Sequence, residues 1–486
     1  MNRASFSAND LSARILAALR RDRRLRAFLI RLGSSAESAG GSLWLVGGVV
    51  RDLAEGSRGK DIDLLVTGIG FDRLGRLLRA LPAKELGIRR IVQAGKQFPV
   101  YRVSTEWAAG MIDVTPPRIP NARGCGTGKP VGDREEAEAR EDASRRDFTM
   151  NSILFRILPR AGRLHGNLFD PFGGVRDLRR NRIRGVGDPS LRFREDPVRI
   201  LRAIRLRNER PGSAIERSTW AALRRASPSL PGSCPGERIY AEISRSLSAD
   251  PARSLSDLHR AGILARLLPE IPDWGAGPLA RTRRRYRLLE ESLGRPLPEI
   301  LSCAALLVDV AEREASPQVP RGKGEVAPET ASRGIRLPGT EAAARRLHLP
   351  GPRRVLRLLA GLCRLARLGS SSTPQAMIEA ILARQPEPDH LLALYAATCR
   401  AAGRRETDVR TILRKAARTP ALISGADLVA AGVPAGPRME RILLMVREAT
   451  LSGTVASGEE ALRLAVRLQA GGTSVPLTGG ETRAEG

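Results

Sequence analysis

LWLVGGVVRDLAEGSRGKDIDLLVTG, residues 43–68, reads as a strand, a glycine turn, a short helix and a second strand. Leu43 to Val46 is an apolar run that stops at Gly47-Gly48; Arg51 and Asp52 follow on the helical segment, and Asp61-Ile62-Asp63-Leu-Leu-Val begins the next strand. Side chains on a strand alternate between faces, so Asp61 and Asp63 point the same way while Ile62 points to the opposite, core side. Two carboxylates on one face repel unless a cation lies between them, and hard oxygen ligands suit Mg²⁺, which commonly carries a substrate phosphate as well. Backbone without Cβ at Gly47 and Gly48 can approach a polyphosphate closely and offer it N–H groups. The stretch therefore describes a place for a nucleoside triphosphate and a metal.

Three later stretches agree with it. Arg145-Arg146-Asp147-Phe148-Thr149-Met150-Asn151-Ser152 is the most specific short string of the chain. Its two guanidiniums can grip phosphates bidentately, and Asp147 and Asn151, four apart, are expected on one helix face, where they can read ribose hydroxyls. Asp170-Pro-Phe-Gly-Gly174-Val-Arg-Asp177 is a glycine-rich turn at a strand end. Glu195-Asp196-Pro197-Val198-Arg199 opens a helix whose apolar stripe is Ile200, Leu201 and Ile204, with Asp196 as cap and Pro197 at the first position. Glu195, Arg199 and Arg202 share its polar face.

Taken together these strings resemble the class II tRNA nucleotidyltransferase and bacterial poly(A) polymerase family. Residues 43–68 resemble that family's motif A and Arg145–Ser152 its motif B, RRDFT-x-N-A, with Ser152 where alanine is usual. Asp170–Gly174 resembles its D-x-x-G-G turn and Glu195–Arg199 its motif D, E-D-x-x-R. The resemblance covers roughly residues 40–275. It implies that Asp61 and Asp63 hold two Mg²⁺ ions, and that Gly47, Gly48, Arg51, Arg146, Asp147, Asn151, Asp196, Arg199 and Arg202 bind the nucleotide. In the family, the Asp and Arg of motif D present an acceptor and a donor to the edge of an incoming C or A. A third carboxylate is expected at Asp113, which stands in the apolar strand Met111–Val114, where an ionised side chain requires a partner or a metal.

The implied activity is template-independent addition of CTP- and ATP-derived nucleotides to the 3′ end of tRNA, with release of pyrophosphate. Poly(A) addition, and CC-only or A-only addition, share all of these motifs and stay open. From another class, so does a non-catalytic RNA-binding protein.

Charge supports a polyanionic partner. Lys and Arg number 81 against 52 acidic residues, a formal +29, and phosphate neutralisation supplies sequence-independent affinity for nucleic acid. The excess is concentrated after Arg176: between Arg176 and Arg210 stand 12 arginines and 5 acidic residues, which places RNA contacts among those basic residues. Five scattered cysteines indicate neither a zinc site nor a disulfide framework, and no apolar run reaches membrane-spanning length, so a cytoplasmic location is expected.

The expected fold class is α+β: an N-terminal nucleotidyltransferase palm, a mixed sheet with helices, followed by an all-helical neck, body and tail. Residues 1–40 form a basic helical lead-in with a solvated arginine cluster at Arg20–Arg26, 41–175 the palm, 176–275 a helical neck and body, and 276–470 a helical tail. Residues 115–143, rich in Pro, Gly and charge, are expected as a long loop. A Pro/Gly-rich linker is expected near 315–340, helical segments at about 341–368, 374–384, 388–418 and 438–469, and a disordered tail at 471–486.

Overall fold

The computed structural model describes residues 7–57, 62–95, 99–108, 110–117, 131–315, 337–367, 388–404 and 418–470. Asp61, most of the expected linker, the segment 374–384 and the tail 471–486 lie outside the described residues. The chain divides into two compact units, Met1–Arg238 and Ile239–Gly486. No helix among the described residues is long and apolar enough to cross a membrane.

The first unit is built on a seven-stranded mixed sheet: β1 (Ser42–Val46), β2 (Ile62–Thr67), β3 (Ile88–Ala94), β4 (Val100–Thr105), β5 (Ile112–Thr115), β6 (Leu154–Arg160) and β7 (Arg163–Phe169), in the order β3-β4-β5-β2-β1-β6-β7. Within this sheet, among the described residues, only β2 and β5 pair in parallel, with Asp63 opposite Asp113. Among the described helices of this unit are α1 (Ala8–Arg21), α2 (Arg23–Ser38), α3 (Gly48–Ala54), α4 (Phe71–Ala80), α5 (Ala83–Leu86), α6 (Val131–Ser144), α7 (Gly174–Arg179), α8 (Pro189–Glu195), α9 (Val198–Glu209) and α10 (Arg217–Ala226). The mixed palm expected from the sequence is present.

Strand β1 is buried along its whole length because both faces of the sheet are covered. On one face α1 and α2 pack against β1, β6 and β7, burying Leu11, Ile15, Leu19, Phe28, Leu29 and Leu32. The arginine cluster is solvated as expected, with Arg20, Arg21, Arg23 and Arg24 exposed, and Arg20 also donates through Nε and Nη2 to the Leu164 carbonyl at 3.1 and 2.9 Å. The other face carries Trp44, Val46, Leu65 and Leu154 against Ala139 and Ala143 of α6.

Helix α6 corrects the reading of residues 115–143 as loop: residues 118–130 lie outside the described set, but 131–144 are helical. Its inward face is made of carboxylates as well as alanines. Glu135, 3% exposed, accepts from Ser42 Oγ and, at 2.9 Å, from Arg156 Nη2, while Glu138 accepts the Gly68 N–H at 2.7 Å. Such a face bears no apolar periodicity, yet both carboxylates have partners, as buried polar groups require.

The second unit is helical. Among its described helices, Ala276–Leu293, Glu299–Ala315 and Pro388–Ala401 are tied by Arg285, which donates to Asp309 Oδ2 (2.9 Å), the Ala305 carbonyl (3.1 Å) and Thr398 Oγ1 (3.2 Å). The expected segment 341–368 is two helices, Pro338–Arg346 and Pro352–Arg367, parted where His348 and Gly351 take positive φ. Likewise 438–469 is two, Pro437–Ser452 and Gly458–Gln469, ended and restarted by a left-handed Gly453 and a capping box at Ser457. With Gly425–Ala430 these last helices enclose their own apolar core around Leu428, Ile442, Val446 and Ala465.

Candidate nucleotidyl-transfer site

Pairing of β1 with β2 sets Val46 opposite Asp63 and Trp44 opposite Leu65, so Asp63 follows Leu65 on the face that α6 covers and stands beside the turn that ends β1. Gly47 at that turn has φ +83° and ψ −152°, a backbone state open to glycine and costly for any other residue. A Cβ there would lie 3.0 Å from Asp63 Oδ2 and 3.2 Å from Arg146 Nη1, so the turn, the strand carboxylate and the arginine converge on one spot. Asp113 is level with Asp63 on the adjacent strand and 3.5 Å from Arg102 Nε at the sheet surface. Two level carboxylates are a donor set that fits a hard divalent cation. Asp61, the other expected ligand, lies outside the described residues.

Arg146 reaches this spot because its other edge is held. Its Nε and Nη2 donate to Asp142 Oδ2 at 3.1 and 2.8 Å, one helical turn back on α6. Arg145 is occupied in the same way by Glu141 Oε1, at 3.0 and 2.8 Å. Of the two guanidiniums expected to grip phosphates, Arg146 is the one that the structure turns towards the glycine turn.

Asp147 and Asn151 are not on a helix face, which corrects the sequence reading. Phe148 is extended (φ −130°, ψ 148°), buried, and bridged to Gly185, so the chain can turn only after it, and it makes just the 3₁₀ turn Thr149–Asn151. Asp147, 7% exposed, accepts the Phe148 N–H (2.8 Å) and Asn151 Nδ2 (3.0 Å) on Oδ1 and Arg202 Nη1 (3.1 Å) on Oδ2. Burial alone would raise its pKa; the Arg202 charge and the bonds from Asn151 and Phe148 outweigh it and hold the carboxyl below its ordinary range. Asn151 Oδ1 in turn accepts from Arg51 Nη1 at 2.6 Å. Arg51, Asn151, Asp147 and Arg202 thus form one continuous chain of hydrogen bonds from α3 to α9.

Motif D is divided between two helices. Glu195 ends α8, Asp196 forms the joint, and α9 begins at Val198, whose N–H Asp196 Oδ1 accepts at 3.3 Å. Glu195 Oε2 accepts from Arg199 Nη1 at 3.1 Å, so the expected pair forms, but across the joint of α8 and α9 and not along the face of one helix. Arg199 also donates to the carbonyls of Arg192 (3.2 Å) and Arg145 (2.8 Å), and Asp196 Oδ2 accepts from Arg238 Nη2 at 2.7 Å. Asp196 and Arg199 are therefore each engaged, by separate partners. Arg238 is 42 residues away in the chain, and no local pattern links it to Asp196.

The glycine-rich turn supports motif B from below. Asp170 accepts the N–H groups of Gly174 (2.7 Å) and Val175 (2.9 Å), and Asp177, fully buried, accepts from Thr149 Oγ1 (2.8 Å) and Arg184 Nε (2.7 Å). A Cβ on Gly174 would lie 2.1 Å from the Thr149 carbonyl oxygen. Gly174→Ala is expected to destabilise the first unit by about 1–3 kcal/mol through overpacking, read as a lower urea midpoint; an unchanged midpoint would show that α7 can move away at no cost. Half of the 12 arginines in the run Arg176–Arg210 are committed to such internal pairing: Arg184, Arg192, Arg199, Arg202, Arg205 and Arg210 each pair with an acidic side chain.

With this geometry, comparison with known proteins is direct. Residues 43–184 match the poly A polymerase head domain, and residues 212–274 match a domain described as a probable RNA and SrmB-binding site of polymerase A. The CCA-adding enzyme of Bordetella bronchiseptica is 32% identical over 308 residues, covering 57% of this chain and 76% of that protein. The chain belongs to the tRNA nucleotidyltransferase and poly(A) polymerase family. A multifunctional CCA protein of Xanthomonas campestris pv. campestris is 35% identical over 238 residues, 47% of this chain; the chain spans only about half of that relative, 51%. The fold of the family extends further than the sequence match. A Thermotoga maritima CCA-adding enzyme complexed with tRNA_CCA superposes with a TM-score of 0.64 at 20% identity, covering 94% of this chain and 98% of that one, and a CCA-adding enzyme with CTP gives 0.66 with the same identity and coverage.

Proposed function

We propose that this chain transfers CMP and AMP units from CTP and ATP to the 3′ end of tRNA in the cytoplasm, without a nucleic-acid template and with release of pyrophosphate. The observation that carries this reading is the convergence of Gly47, Asp63 and Arg146, with Asp113 level with Asp63 on the next strand. The names of the relatives favour tRNA and both nucleotides.

In this reading Asp63, with Asp61 and Asp113, would hold Mg²⁺, and the bound ion would supply activation of the terminal hydroxyl and neutralisation of the leaving pyrophosphate's charge. The protein's own groups bind and orient. Gly47 lets the main chain approach the triphosphate, and Arg146 faces its negative charge while Asp142 keeps the guanidinium in place. Arg51, Asn151, Asp147 and Arg202 hold the turn and α9 at a fixed separation, and Asp196 and Arg199 at the start of α9 read the base edge. RNA is held by basic residues beyond Arg176.

The test is incorporation of labelled CTP or ATP into tRNAs ending before CCA, after C and after CC. Use of CTP on the first two and of ATP on the third is expected; ATP alone on any RNA end would assign poly(A) addition instead, and no incorporation would leave an RNA-binding protein. In the same assay, Asp196→Ala and Arg199→Ala are expected to change the ratio of kcat/KM among CTP, ATP, UTP and GTP by about 1–3 kcal/mol. Equal losses on all four nucleotides would mean that the base is read elsewhere.

A further inference from the structure

The chain of hydrogen bonds through Asp147 is not the sole fastening between α3 and α9. At the end of α3 opposite the glycine turn, Glu55 meets Arg210, the residue that closes α9: Arg210 Nη2 donates to Glu55 Oε1 at 2.7 Å and Nη1 to Oε2, a two-pronged fork. The pair is largely removed from water, with side chains 9% and 18% exposed. Glu55 is one turn beyond Arg51 on α3, and Arg210 two turns beyond Arg202 on α9. Each helix is thus held near its nucleotide-facing start and again at its far end. One contact leaves a helix free to pivot; two contacts do not.

We propose that Glu55 and Arg210 are a positioning pair that fixes the orientation of α9 relative to α3, and through it the placement of Arg199 and Arg202 against the nucleotide whose triphosphate lies at the glycine turn. The proposal rests on the nucleotidyl-transfer reading, which supplies the ligand. Neither residue touches the reacting atoms. Their effect is carried by α9, so it is expected in nucleotide binding and in the choice between nucleotides, whereas a purely structural ion pair would show only in stability.

The experiment compares wild type with three variants of the full chain: Glu55→Leu/Arg210→Met, Arg210→Lys, and the exchange Glu55→Arg/Arg210→Glu. Melting temperature, the Kd of CTP with Mg²⁺ by calorimetry, and KM and kcat for CTP and ATP are measured on each. The apolar pair fills similar space, and such replacements of buried ion pairs are often neutral for stability, so its melting temperature is expected near that of wild type while its Kd and KM rise about tenfold through loss of alignment. Arg210→Lys keeps the charge and loses the fork, and should fall between the two. The exchanged pair should regain part of the binding.

A wild-type Kd in the apolar variant at unchanged melting temperature would overturn the proposal, as would losses in all three variants that simply track melting temperature. Wild-type protein that binds CTP but transfers no nucleotide would defeat the proposed function, and the Kd comparison among the variants would still judge the pair.

Discussion

Asp63→Ala is expected to lower nucleotide transfer about a thousandfold or more, because a metal ligand supports several kcal/mol of transition-state stabilisation and each 1.4 kcal/mol is a decade in rate. The fold should survive the change. Asp63 stands level with Asp113, so removing one carboxylate relieves like-charge repulsion in the metal-free protein and leaves the apolar side of β2, with Leu64 and Val66, untouched. Asp61→Ala is expected to behave in the same way. The measurement is single-turnover incorporation of CTP alongside thermal melting; activity of Asp63→Ala within tenfold of wild type at saturating Mg²⁺ would remove Asp63 from the metal site.

The second large effect is expected at Asp147, and there the loss is structural first. Asp147→Ala deprives the buried Phe148 N–H and Asn151 of an acceptor and costs roughly 2–3 kcal/mol in folding stability. Arg202, with 37% of its side chain exposed, can turn to water and adds less. Activity should fall with it, since Asn151 then no longer holds Arg51 against α9. The acid limb gives a sharper test. A carboxyl whose folded-state pKa lies below its unfolded value contributes stability in full above about pH 4 and loses it as pH falls through the folded-state pKa. Asp147→Asn, which cannot titrate, should therefore show a shallower fall in stability below pH 4 than wild type, measured by urea unfolding of the first unit's transition. Parallel acid limbs in the two proteins would mean that Asp147 gains nothing from its partners.

The parts of the site that the sequence exposes are those fixed by short-range geometry. Asp63 could be placed on a face because strands alternate, and Asp113 because an acid in an apolar strand needs a reason to be there. The Glu195–Arg199 pair was legible from its i,i+4 spacing, although in the structure it bridges the break between α8 and α9. What could not be read depended on partners remote in the chain or on polar faces that mimic loops. Helix α6 passes for a loop because its buried side carries Glu135 and Glu138, whose partners Arg156 and Gly68 come from elsewhere. Asp147 and Asn151 looked helical because their spacing is four; the Phe148–Gly185 bridge, which forbids a helix there, joins residues that no local pattern connects. Asp196 with Arg238, and Glu55 with Arg210, are invisible for the same reason.

The level pairing of Asp63 with Asp113 also bears on how the protein can lose activity by mutation. Their separation is set by main-chain hydrogen bonding between parallel strands about 4.8 Å apart, not by side-chain packing. A strand cannot slip by a fraction: a shift of one residue turns Asp113 to the opposite face and Val114 into its place. The carboxylate gap therefore has no intermediate settings. Substitutions in the surrounding core that loosen the sheet should reduce the fraction of molecules that are competent and leave each competent molecule with its full turnover, so that titration of active sites, rather than kcat per active site, registers the damage.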